Sequence, residues 1–77
     1  MESLGIKLKV ARVKSRLNQS EAVEKLKGYG INITQSYLSK FENDVNEPDI
    51  RQLKALAKVY NIDVLTLIFT DDESDEI

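Results

Sequence analysis

Thr34-Gln35-Ser36-Tyr37-Leu38-Ser39-Lys40-Phe41-Glu42-Asn43 reads as a short helix with one apolar side and one polar side. Thr34 is a good N-cap residue, and Ile33 and Leu38 are spaced for a hydrophobic staple across it. The helix is expected to end near Glu42-Asn43. Leu38 and Phe41 turn inward; Gln35, Ser36, Ser39 and Lys40 turn outward. The outer face is therefore polar and carries a single cation. Such side chains suit base edges in a DNA major groove: Gln can grip adenine bidentately, Lys can donate to guanine, and Ser suits either.

Working towards the N-terminus, Asn18 can cap a second helix that begins at Gln19. Glu21 at its third position completes a capping-box pattern, and the helix runs to about Lys27. Gly28-Tyr29-Gly30 then breaks it, since glycine readily takes the left-handed conformation that ends helices. Tyr29 reads as a packing residue of this turn. A first helix spans about Leu4 to Arg16. Towards the C-terminus, the polar stretch Asn43–Glu47 closes at Pro48, which suits a helix's first turn. A fourth helix follows with Ile50, Leu53, Leu56, Ala57 and Tyr60 as its apolar stripe, and Asn61 can stop it. Asp63 caps a fifth, with Ile62 and Leu67 as its staple pair. The expectation is an all-α, five-helix domain over residues 1–70, followed by an acidic, disordered tail over 71–77.

Charge is segregated along the chain. The formal net charge is −2, from 11 bases and 13 acids, yet five of the acids (Asp71, Asp72, Glu73, Asp75, Glu76) lie in the last seven residues. Residues 1–70 then hold 11 bases against 8 acids, a net of +3. Five of the bases, Lys7, Lys9, Arg12, Lys14 and Arg16, fall in the first helix. A basic body with an acidic end is compatible with a phosphate-rich partner for the body and a protein partner for the tail.

Other classes are disfavoured. With no Cys and no His, the commonest nucleophile and base pairs and the commonest metal ligands are absent, so no enzyme, metal or cofactor is expected. No stretch is long and apolar enough for a membrane span, and a cytoplasmic location is expected. Two apolar stripes mark helix 1: Leu4, Leu8 and Ala11 on one side, and Ile6, Val10, Val13 and Leu17 nearly opposite. Val64, Leu65, Leu67, Ile68 and Phe69 are likewise more apolar than one buried face requires. A surplus of this kind points to a homodimer.

Leu17-Asn18-Gln19-Ser20-Glu21, then Ser36-Tyr37-Leu38-Ser39-Lys40-Phe41-Glu42-Asn43, then Glu47-Pro48-Asp49-Ile50 together resemble the Cro/CI-type (XRE) helix-turn-helix family of phage and bacterial repressors. The resemblance covers about Leu4 to Phe69 and implies a lambda-repressor-like fold with helices 2 and 3 as the helix-turn-helix. It implies that Gln19 contacts a phosphate and braces Gln35. Gln35, Ser36 and Lys40 would face base edges, with Tyr37 and Ser39 near bases or backbone and Asn43 donating to a phosphate. Arg12 and Glu42 would form a structural ion pair. The turn 27–33 is longer than the family's usual one. The implied function is a sequence-specific regulator, a repressor, binding double-stranded DNA at a palindromic operator. The alternatives are an antitoxin that regulates its own operator and a protein-interaction module.

Overall fold

The computed structural model describes residues 3–69. Five helices follow in order: α1 Leu4–Lys14, α2 Gln19–Lys27, α3 Gln35–Glu42, α4 Ile50–Val59 and α5 Val64–Ile68. Each starts at a side chain that accepts from a backbone N–H left free at the helix's beginning: Ser3 from Ile6, Asn18 from Glu21, Thr34 from Tyr37, Asp49 from Gln52, and Asp63 from Leu65. At α2 and α4 the third helical residue, Glu21 or Gln52, reciprocates to form a capping box.

The first four helices end in a common way. Arg16, Gly30, Asp44 and Asn61 each take a positive φ, between 54° and 81°. In each case the following N–H donates to the carbonyl five residues back: Leu17 to Arg12, Ile31 to Leu26, Val45 to Lys40, and Ile62 to Ala57. This is the Schellman arrangement, which satisfies carbonyls that the helix end leaves free. It corrects the expected end of α1. Arg16 is the left-handed residue beyond the helix, and the helical run stops at Lys14. Pro48 also falls outside the helix it was expected to open, because Asp49 is the cap and α4 begins at Ile50.

One core joins all five helices. It contains Leu8 and Ala11 of α1, Ala22, Val23 and Leu26 of α2, and Leu38 and Phe41 of α3. Leu53, Ala55, Leu56 and Ala57 of α4, Tyr60, Ile31 and Leu67 complete it. Each large side chain fully removed from water contributes about 1.5–3 kcal/mol before the entropy cost of ordering the chain. Two stripe assignments change. Leu17 packs against the core instead of joining the outer stripe of α1, because the left-handed Arg16 turns the chain inward there. Ile50, counted on the α4 core stripe, is 60% exposed, while Ala55 is buried.

α1 packs on α3 and α5, α2 on α3 and α4, and α4 on α5. The α1–α3 approach is close because Gly5 has no side chain. A Cβ there would lie 2.6 Å from the Glu42 carbonyl and 2.7 Å from that of Phe41. Asp44 uses the proximity: its carboxylate accepts from Ser3 Oγ at 2.6 Å and from Gly5 N at 2.9 Å, joining the end of α3 to the start of α1. Among the described residues no helix is long and apolar enough to cross a membrane. The acidic segment 71–77 lies outside the described residues.

Candidate nucleic-acid interface

α3 is anchored on one side and open on the other. Leu38 and Phe41 are buried, whereas Gln35, Ser36, Tyr37 and Lys40 are exposed and Ser39 is half-buried. Ser39 is thus less open than its expected outward position suggested. Gln35, Ser36, Ser39 and Lys40, with Thr34 and Gln19, line one shallow depression. Tyr37 packs edge-on against Phe41, ring centroids 4.9 Å apart, which ties an exposed aromatic to the buried one beneath it.

Behind the open face lies a buried ion pair. Arg12 Nε donates to Glu42 Oε2 at 2.7 Å and an outer guanidinium nitrogen donates to Oε1 at 3.1 Å. The other outer nitrogen donates to the Leu17 carbonyl at 2.9 Å, so the guanidinium joins α1, the end of α3 and the chain entering α2. Glu42 stabilises the charged guanidinium through these bonds and raises the Arg12 pKa, against the opposing effect of burial. With side-chain exposures of 11% and 2%, either group left alone would be a buried charge, a loss of about 3–5 kcal/mol.

Polar contacts run outward from this pair. Gln19 Nε2 donates to Glu42 Oε1 at 3.1 Å. Gln35 Nε2 donates to Gln19 Oε1 across a long 3.4 Å, and Ser20 Oγ donates to Gln35 Oε1 at 3.0 Å. Gln19, expected to meet a phosphate, therefore spends its amide nitrogen on Glu42 in this structure. Asn43, expected to donate to a phosphate, directs Nδ2 to the Ser39 carbonyl at 2.8 Å and the Ser39 hydroxyl at 3.3 Å in this structure.

Ser20 was missed by sequence reasoning. It lies 15 residues from Gln35 and shows no local signal, because its contact exists only once α2 and α3 are packed. The long turn between those helices has its own anchor. Ile31 is buried, and its N–H is held by the Leu26 carbonyl at 3.0 Å, so the additional residues bury an apolar side chain. Tyr29 packs at the surface, its exposed ring lying beneath Lys58 Nζ at 5.9 Å from the centroid.

The sequence model of a family described as helix-turn-helix matches residues 8–67, a span running from within α1 to within α5. The chain belongs to the XRE-type helix-turn-helix family. Within the XRE-type frame α2 and α3 are the paired helices, and the turn 28–34 separates them. The chain is also 40% identical over 72 residues to the HTH-type transcriptional regulator ImmR of Bacillus subtilis (strain 168). That alignment covers 94% of this chain and 53% of the relative, so the chain spans about half the length of the curated relative it matches. No solved structure matches the chain.

Proposed function

We propose that this chain is a sequence-specific DNA-binding domain of a transcriptional regulator, a repressor, which sets α3 in the major groove of duplex DNA. The observation that carries this reading is the exposed polar edge of α3. Gln35, Ser36 and Lys40 are exposed on a helix whose opposite side is locked into the core by Leu38 and Phe41. A major groove about 12 Å wide admits one such helix. In this reading Gln35, Ser36 and Lys40 meet base edges, and Tyr37 and Ser39 lie beside bases or backbone. Gln19 meets a phosphate with the Nε2 hydrogen that Glu42 leaves unused, and Asn43 meets one by turning its side chain away from Ser39.

The net charge of +3 over residues 1–70 supplies attraction to phosphate that does not depend on sequence. The description of the Bacillus relative as a transcriptional regulator supports the regulatory role. Repression follows from occupying an operator. Residues 1–70 form the DNA-binding domain, and two copies paired through α1 and α5 recognise a palindromic site. The test is fluorescence anisotropy at fixed salt, using a duplex selected from a random pool. Gln35→Ala and Lys40→Ala are each expected to cost about 1–3 kcal/mol on that duplex. Unchanged affinity in both variants removes α3 as the reading helix.

A further inference from the structure

The polar contacts behind α3 have a direction, and charge sets it. Glu42 meets Arg12 as a carboxylate, and a carboxylate only accepts hydrogen bonds. Gln19 must therefore turn its NH2 towards Glu42, as it does at 3.1 Å, which leaves its oxygen facing Gln35. Gln35 must in turn offer its own NH2 to that oxygen, placing Oε1 on the side of Ser20. Ser20, whose hydroxyl can donate or accept, is left to donate, and it does so at 3.0 Å. A side-chain amide can usually be turned over at little cost, exchanging donor and acceptor. Here the ion pair imposes one sense, and the Ser20 hydroxyl, which serves either sense, keeps Gln35 seated against Gln19, where that sense is imposed.

We infer that Glu42 and Ser20 are specificity-determining positioning residues: Glu42, through Gln19, sets the orientation of the Gln35 amide, Ser20 holds Gln35 in the place where that orientation is imposed, and together they set which base it accepts. Each polar atom of Gln35 spends one site on the protein and keeps one for a partner, Oε1 a lone pair and Nε2 a hydrogen. That is the pattern adenine requires, with N6–H2 as donor and N7 as acceptor. A freely turning amide could also give both hydrogens to guanine O6 and N7, or its oxygen to the amino group of cytosine. Holding Gln35 also reduces the side-chain freedom lost on binding.

The inference rests on α3 reading bases, and the experiment separates the two. A random duplex pool is selected with the wild-type chain and with Gln35→Ala, and the base pair whose preference disappears is the Gln35 position. Anisotropy at fixed salt then gives the ratio of affinities between the best duplex and its three variants at that position. The wild type is expected to favour adenine by about tenfold or more. Ser20→Ala lowers that ratio by at least about threefold, the weight of one hydrogen bond, and Ser20→Thr, which keeps the hydroxyl, restores it.

Glu42→Gln, which can donate as well as accept, lowers the ratio in the same direction; if it unfolds the domain, the Ser20 variants decide alone. A Ser20→Ala ratio equal to wild type, with Gln35→Ala still abolishing preference, overturns the orientation control and leaves base reading intact. If Gln35→Ala selects the wild-type motif, base reading fails and the orientation control fails with it.

Discussion

Tyr60 seals the core beneath the ion pair, yet its hydroxyl is the only buried side-chain polar atom among the described residues without a hydrogen-bond partner. Burial raises its pKa, and the charge of Glu42 adds to the effect while Arg12 opposes it. An unpaired buried hydroxyl costs about 1–3 kcal/mol, and a phenyl ring of the same shape does not. Tyr60→Phe is therefore expected to stabilise the domain by about 1 kcal/mol at neutral pH, as measured by urea denaturation. The pH dependence has a definite sign. Unfolded tyrosine ionises near pH 10 and the folded residue only above that, so Tyr60's contribution is intact below about pH 10 and is lost as the pH rises further. The variant should lack this part of the alkaline loss. A Tyr60→Phe protein less stable than wild type at neutral pH would mean that the hydroxyl has a partner, such as an ordered water.

Among the elements, α1 shows where propensity and packing disagree. Alanine favours a helix over glycine by about 1 kcal/mol, so sequence alone predicts that Gly5→Ala stabilises α1. The Cβ would meet two backbone carbonyls and the Asp44 carboxylate at 2.6–2.7 Å, and the backbone cannot move aside as a flexible side chain can. Gly5→Ala is expected to destabilise by about 1–3 kcal/mol in the same urea assay, through overpacking. A stabilised variant would show that the α1–α3 contact is looser than described.

The same residues explain what could be read in advance. Capping at Asn18, Thr34 and Asp63 was legible because each cap and the N–H it accepts from lie within three residues, whereas Asp49 was passed over for Pro48 as the start of α4. The outward face of α3 was legible because helical periodicity fixes direction. Periodicity does not fix how far along an axis the neighbouring elements reach, and so Ile50 was counted as core. Gly5 against Asp44, Ser20 against Gln35, and the left-handed Arg16 depend on contacts or turns that no local pattern encodes.

Over the whole molecule, exposed apolar side chains are unevenly placed. Ile6, Val10 and Val13 on α1, and Leu65, Ile68 and Phe69 at α5, are large, exposed and carried on two helices that pack together. Lys7 Nζ joins these elements by donating to the Phe69 carbonyl. Large exposed apolar surfaces are uncommon on monomers, and none of these six side chains belongs to α3. Pairing two copies through α1 and α5 would leave both α3 faces free, and a two-fold pair would read half-sites about one helical turn, roughly 34 Å, apart. Sedimentation equilibrium at micromolar concentration is expected to give a dimer, and Val10→Glu or Ile68→Glu a monomer, since each places a charge in the apolar contact. The monomeric variants should then bind a single half-site duplex as well as the wild type does, while losing the advantage of the two-half-site operator. A wild-type chain that sediments only as a monomer, with and without operator duplex, would exclude pairing through this surface and leave the apolar patch unexplained.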